Sequence, residues 1–331
     1  MVGGRLGRYG AARVLAEGSV LFAVGLVALS AATGPVTWLA AWAVVGAGGG
    51  FGLMVAANTA VVERRGAAAK RGIGTLMIFT GLSAAISWPV ASWLLDGIGW
   101  RASCLVGAAA HVLVCLPAHL FALPPRPAEM PRDEADEATA APPRPAGGGT
   151  LLVLGGITTA FTFVAYGVSP SLLEIFRQAG ATPTLALQLG SARSVFGVSA
   201  RLVDLALGRR SSPLATIMVA GVLIVVGLAL LPIADGAFAF LGGFALLYGF
   251  GSGIATVARV LLPLQFFAPA DFGRLSSRLA LPQYLANAAA PVIFTAVLDR
   301  GGVDAVVGLS VATLALALLL CAGLALRSRR R

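Results

Sequence analysis

The sequence predicts an all-α polytopic membrane protein made of two helical bundles, of four and six transmembrane helices, related as a pseudo-repeat. Three observations carry this expectation. Of the 331 residues, 58% are hydrophobic and 11% charged, whereas a soluble domain has about 25% charged residues. The apolar residues fall in runs of roughly 20, each enough to cross a hydrocarbon layer of about 30 Å. Landmarks of the first half recur in the second at a constant offset. Mean hydropathy is +0.88. Soluble globular, disordered and disulfide-rich secreted classes are excluded, and the solid apolar runs lack the alternation of a membrane barrel.

Ten spans are expected, at residues 14–32, 35–61, 73–96, 102–123, 150–172, 184–207, 213–233, 236–261, 276–298 and 303–326. The first follows Arg5, Arg8 and Arg13. Glu17 comes next, one turn after Arg13, and is expected to pair with it. With no cleavage motif there, the segment reads as a retained span and not as a signal peptide. The second span carries the run Gly46-Ala47-Gly48-Gly49-Gly50, with Asn58 and Thr59 near its inner end. Such a run resembles a nucleotide loop, but it lies inside an apolar span with no preceding strand. Close helix packing is the better reading.

The third span holds Thr80, Ser83 and Pro89. The fourth holds His111 and His119 on one face, as a proton relay or as hydrogen-bonded bundle residues. Residues 124–149 are Pro-rich and charged and end in Gly147-Gly148-Gly149. They cannot bury enough apolar surface to fold alone and are expected to form a cytoplasmic linker. The organisation expected is therefore a first bundle at 1–123, the linker at 124–149 and a six-helix bundle at 150–331.

In the second bundle the fifth span presents Thr158, Thr162 and Tyr166 one turn apart. The sixth holds Arg193 near mid-bilayer, flanked by Gly190 and Gly197. Arginine at that depth costs at least about 2.5–3.5 kcal/mol on insertion scales, so it must face a cavity or a partner. Its planar donor fork suits a carboxylate; a structural or gating role against backbone carbonyls is the competing reading. Arg201 and Asp204 lie at i,i+3, a gating or structural pair. The eighth span carries Gly249-Phe250-Gly251-Ser252-Gly253 and, near its inner end, Arg259, read as a snorkelling or loop-latching side chain. The ninth groups Gln283, Tyr284 and Asn287 and contains Pro291. Pro89 and Pro291 are expected to kink their helices. Cys104, Cys115 and Cys321 all lie in apolar segments without metal spacing or a disulfide framework.

An even number of spans puts both termini on one side. That side holds 18 basic residues and the other only Arg101, Arg177 and Arg300. The asymmetry places both termini in the cytoplasm and accounts for the net charge of +10 without nucleic acid. The acids Asp96, Glu174, Asp235, Asp299 and Asp304 fall at or near outer ends, and none sits deep in a span.

The repeat is read at Gly46 and Gly249, at Arg71 and Arg274, and at Pro89 and Pro291, with offsets of 203, 203 and 202 residues. It aligns the four helices of the first half with helices three to six of a six-helix unit. The chain as given then lacks two leading helices.

The basic, Gly-rich segment Gly3-Gly4-Arg5-Leu6-Gly7-Arg8-Tyr9-Gly10 before the first span resembles the loop between helices two and three of the major facilitator superfamily. Gly3, Arg8 and Gly10 match that pattern, and Gly7 stands at its acid. A looser copy runs from Arg201 and Asp204 to Gly208, Arg209 and Arg210, with Leu205 in place of an arginine. The resemblance implies a secondary transporter of a small solute, in which two bundles rock about a midplane site. The loop residues act as gates or as positive anchors. Arg193, Thr162, Tyr166, Gln283, Tyr284 and Asn287 are the substrate-binding candidates, with an organic anion or drug-like metabolite as cargo. The setting implied is a bacterial plasma membrane, with a monomer, a lipid bilayer, a coupling proton or ion, no cofactor and no enzymatic role. A membrane protein that does not transport, or an assembly partner, is the alternative.

Overall fold

The computed structural model describes residues 2–52, 54–66, 69–123, 148–207 and 212–329. Every expected span has helix at its place, and no strand occurs among the described residues. A short helix α1 (Val2–Tyr9) leads into α2 (Ala11–Ser30), α3 (Pro35–Gly52) and α4 (Met54–Arg65). Next comes α5 (Ala69–Ala110), which continues as wide π-helical turns at His111–Cys115 and Ala118–Ala122. The second half holds α6 (Gly148–Gln178), α7 (Pro183–Leu207), α8 (Pro213–Ala229), α9 (Phe238–Phe266) and α10 (Phe272–Arg329). Six stretches among the described residues are long and apolar enough to cross a membrane, by length and composition.

One expectation is corrected: Gly148 and Gly149, read as the end of the linker, already belong to α6. Pro89 and Pro291 lie inside helix. The helical dihedrals of α5 and α10 are interrupted at Gly99 (φ 75°, ψ 166°) and Gly302 (φ 62°, ψ −162°), each between two expected spans. A positive φ there is reached cheaply only by glycine. The two breaks lie 203 residues apart, the same offset that relates the two halves of the sequence.

The chain divides into two compact units. One comprises Met1–Pro142 with Ala268–Arg278; the other comprises Pro143–Phe267 with Leu279–Arg331. The start of α10 thus belongs with the first unit, where the sequence analysis grouped it with the second bundle. Glycine makes this packing possible: a Cβ on Gly3 would stand 3.0 Å from the Cβ of Ser277, and one on Gly273 would stand 2.9 Å from Thr59.

In the first unit α2 packs along α3 and against α5. A small cluster of Leu6, Val14, Leu15, Ala56 and Ala60 closes its basic end. The second unit has a larger core that runs from Leu154 through Phe161, Phe176, Phe244 and Tyr248 to Leu314. Helix α9 is its centre and packs on both α7 and α8.

The glycine run of α9 explains how. Gly249 and Gly253 face α7: a Cβ at Gly253 would stand 2.3 Å from the Gly197 carbonyl oxygen, and one at Gly249 2.7 Å from that of Arg193. Gly251 turns the other way, onto Ala220 and Ile224 of α8. These glycines allow backbone-to-backbone approach, the role small residues play where lipid offers no hydrophobic drive. Their counterparts in α3 share one half of the pattern. Gly48 packs on Phe22 of α2, as Gly251 packs on α8, while Gly46 and Gly50 have nothing within 4 Å.

Candidate functional site

The polar side chains of the second unit converge from α6, α7, α9 and the first half of α10. Thr162 of α6 is 2% exposed. Its hydroxyl accepts a short hydrogen bond from Nη1 of Arg259 and donates to Oε1 of Gln283 at 3.3 Å. Gln283 in turn donates through Nε2 to the Leu279 carbonyl at 2.9 Å. Guanidinium, hydroxyl and amide thus form a polarised chain across three helices, in surroundings where each bond strengthens the next. The Nε atom of Arg259 is buried and has no hydrogen-bond partner.

This overturns the reading of Arg259 as a snorkelling side chain. It lies toward the C-terminal end of α9, and its guanidinium reaches Thr162 inside the unit. Tyr166, one turn beyond Thr162 and half-exposed, lies within electrostatic reach of both Arg259 and Tyr284. Tyr284 is likewise half-exposed.

Arg193 lies over the ring of the buried Tyr248, with its Cζ 5.5 Å from the ring centroid. A guanidinium over an aromatic face is held by the ring quadrupole, more strongly as water is excluded. Its Nε is also buried without a partner. Arg201 lies within electrostatic reach of both Arg193 and Arg259. Arg201 and Asp204 are both half-buried on α7. Asn287 keeps a buried Oδ1 with no hydrogen-bond partner. Thr158 bonds back to its own helix through the Leu154 carbonyl at 2.9 Å. Gly208, Arg209 and Arg210 lie outside the described residues.

The loop residues of the first unit form a separate arrangement. Gly10, with φ 77°, turns the chain from α1 into α2. Arg8 is exposed and stacks near the Tyr9 ring at 5.3 Å. The main partner of Glu17 is Arg5, at 2.7 Å, with Arg13 only at 4.0 Å; the i,i+4 pairing with Arg13 is secondary. The hydrogen-bonded pairing with Glu17 raises the Arg5 pKa above its ordinary value.

Sequence reasoning passed over Glu63. It is 7% exposed, and its Oε2 accepts the Ala11 N–H at 3.1 Å, which caps α2. Its signal was its isolation, an acid set directly before the basic run at 64–71 and 46 residues after the preceding acid, Glu17. His111 stacks on Phe22 with centroids 4.9 Å apart, and Nδ1 of His119 lies 2.9 Å from the Ser19 hydroxyl. Both histidines tie the fourth span to α2.

The sequence profile of the Major Facilitator Superfamily matches residues 1–278. The chain belongs to that superfamily and is a multi-pass membrane transporter, not an enzyme. Its fold is similar to that of the human organic anion transporter MFSD10 (TETRAN), with a TM-score of 0.77, 16% identity, and coverage of 97% of this chain and 79% of that one. It is similar too to the E. coli fucose:proton symporter FucP, with a TM-score of 0.69, 14% identity and coverage of 97% and 85%. The proton:xylose symporter XylE gives a TM-score of 0.71, 18% identity and coverage of 96% and 81%. A comparison with curated proteins finds no match.

Proposed function

We propose that this protein is a secondary active transporter that moves a small organic anion by alternating access, and that the anion is bound in the second unit. The observation that carries this reading is Arg259. Its Nη1 is engaged by the neutral Thr162, and its Nε–H is buried without an acceptor. A buried, unmatched donor on a charged group is costly. The Nε–Nη2 edge is the side-on fork that takes both oxygens of one carboxylate. Arg193 and Arg201 add positive charge to the same unit, and Tyr166, Tyr284 and Asn287 supply further hydrogen-bonding groups. The likeness to an organic anion transporter supports the same cargo. The likeness to two proton symporters supports a proton as the driving ion.

In this reading the protein is a monomer in a bacterial plasma membrane, with both termini in the cytoplasm, where 18 of its basic residues lie. Gating falls to Gly3, Arg8 and Gly10, to Arg201 and Asp204, and to the segment from Gly208 to Arg210.

The test is uptake of a panel of radiolabelled mono- and dicarboxylates by the full chain in proteoliposomes. Arg259→Gln is expected to raise KM for the transported anion about 10- to 100-fold, the range for a lost hydrogen bond to a charged group. Arg259→Lys should recover part of it. Arg193→Ala should abolish transport without loss of folded protein. Unchanged kinetics in both arginine variants, with the protein folded, would refute the anion site.

A further inference from the structure

A cavity of about 660 Å³ lies in the first unit, apart from the polar chain of the second. It opens where three segments end at one face of the membrane: α2 begins there, α4 finishes there, and the fourth span runs out at Leu123. Arg8, Arg13 and Arg64 line it together with His119, Leu120 and Leu123. Arg8 and Arg13 are exposed, and the Arg64 side chain is 13% exposed. Arg13 lies 5.1 Å from the Tyr9 ring centroid and 4.0 Å from Glu17.

Among the described residues, the one carboxylate in the wall is Glu63. It is already committed to the first N–H of α2 at 3.1 Å and to Arg64 at 3.8 Å. Three guanidiniums against one carboxylate leave the wall positive, and the N-terminal end of the 20-residue α2 adds to that potential. The neighbourhood is also oily. Leu120 is 51% exposed, and Phe121 beside it 84%. An anion dissolved in water has no use for those side chains, whereas an acyl chain does.

We infer that this cavity binds the phosphate group of an anionic phospholipid. The arginines take the phosphate oxygens, and the chains lie along Leu120 and Phe121. A soluble phosphate ester shares the headgroup chemistry and lacks the chains. Basic pockets between helices at a membrane face hold lipid headgroups in this way.

The test uses the purified full chain in uncharged detergent, with three probes: dioctanoyl phosphatidylglycerol, dioctanoyl phosphatidylcholine and glycerol 3-phosphate. Thermal unfolding is followed at rising probe concentration. Phosphatidylglycerol is expected to raise Tm saturably, with an apparent Kd at least about tenfold tighter than either other probe, since each basic residue near an anionic lipid adds about fivefold. In the Arg8→Gln/Arg13→Gln protein that Kd should weaken by about tenfold or more. Arg13→Gln alone should weaken it about fivefold, and serves if the double variant is not recovered folded. Arg327→Gln, in the last turn of α10 and outside the cavity, should leave it unchanged.

Equal stabilisation by phosphatidylcholine overturns the proposal, as does full affinity in the arginine variants. An equal loss in Arg327→Gln reduces the effect to general surface charge and overturns it too. If glycerol 3-phosphate matches phosphatidylglycerol, the lipid assignment falls and the cavity takes a soluble phosphate ester.

Discussion

The Thr162 hydroxyl receives one hydrogen bond from Arg259 and sends one to Gln283, so a single small side chain joins three helices. Thr162→Val keeps the shape and removes both bonds. It leaves a buried arginine donor and a partly buried amide oxygen without these partners, at a cost of about 1–3 kcal/mol. Thermal unfolding should show a lower Tm for Thr162→Val and a near-native one for Thr162→Ser, which keeps the hydroxyl. Equal stability of all three proteins would show that the chain of bonds contributes nothing. Thr162 and Gln283 were legible as separate polar groups on their own helices, from hydrogen-bonding side chains at turn spacing. Their meeting was not legible. It joins residues 121 positions apart, with Arg259 reaching in from a third helix, and periodicity along one helix gives no information on its neighbours. Arg259 was misread for a related reason, because position along a span does not say whether a long side chain turns inward or outward.

Helices α7 and α9 meet through glycine, and the contact has a built-in control in the first unit. Gly253→Ala places a Cβ about 2.3 Å from the Gly197 carbonyl oxygen, against backbone that has no rotamer to yield. The cost of overpacking is typically about 1–3 kcal/mol. Gly50, 203 residues earlier, has nothing within 4 Å. Gly50→Ala should be neutral or stabilising by about 0.5–1 kcal/mol, through helix propensity alone. Denaturation of the two variants side by side checks this; equal losses would contradict the assigned contacts. That both glycine runs serve packing was legible, since they lie inside apolar spans. Which glycine faces which neighbour was not, because the run alternates between α7 and α8 and only the assembled bundle tells the two faces apart. The helix breaks at Gly99 and Gly302 lie between expected spans, and each has a positive φ that proline cannot adopt.

For the whole molecule, apolar length was enough to read an all-α membrane protein, since it is local and additive along the chain, and the repeat was read from glycine, arginine and proline landmarks at a constant offset. The membership of Ala268–Arg278 in the first unit was hidden, because it depends on close approach at Gly3 and Gly273. Its consequence concerns what holds the polypeptide together as one object. Residues 268–278 carry a clasp that fits α1 and α4, so the covalent joint at 124–147 is not the sole tie between the halves on its two sides. Two polypeptides divided at residue 136 and made in the same cell should be recovered as one complex on a tag carried by either. Exchanging Gly273 for leucine should release them. By this contact, a gene broken in two at that joint is expected still to give one assembly.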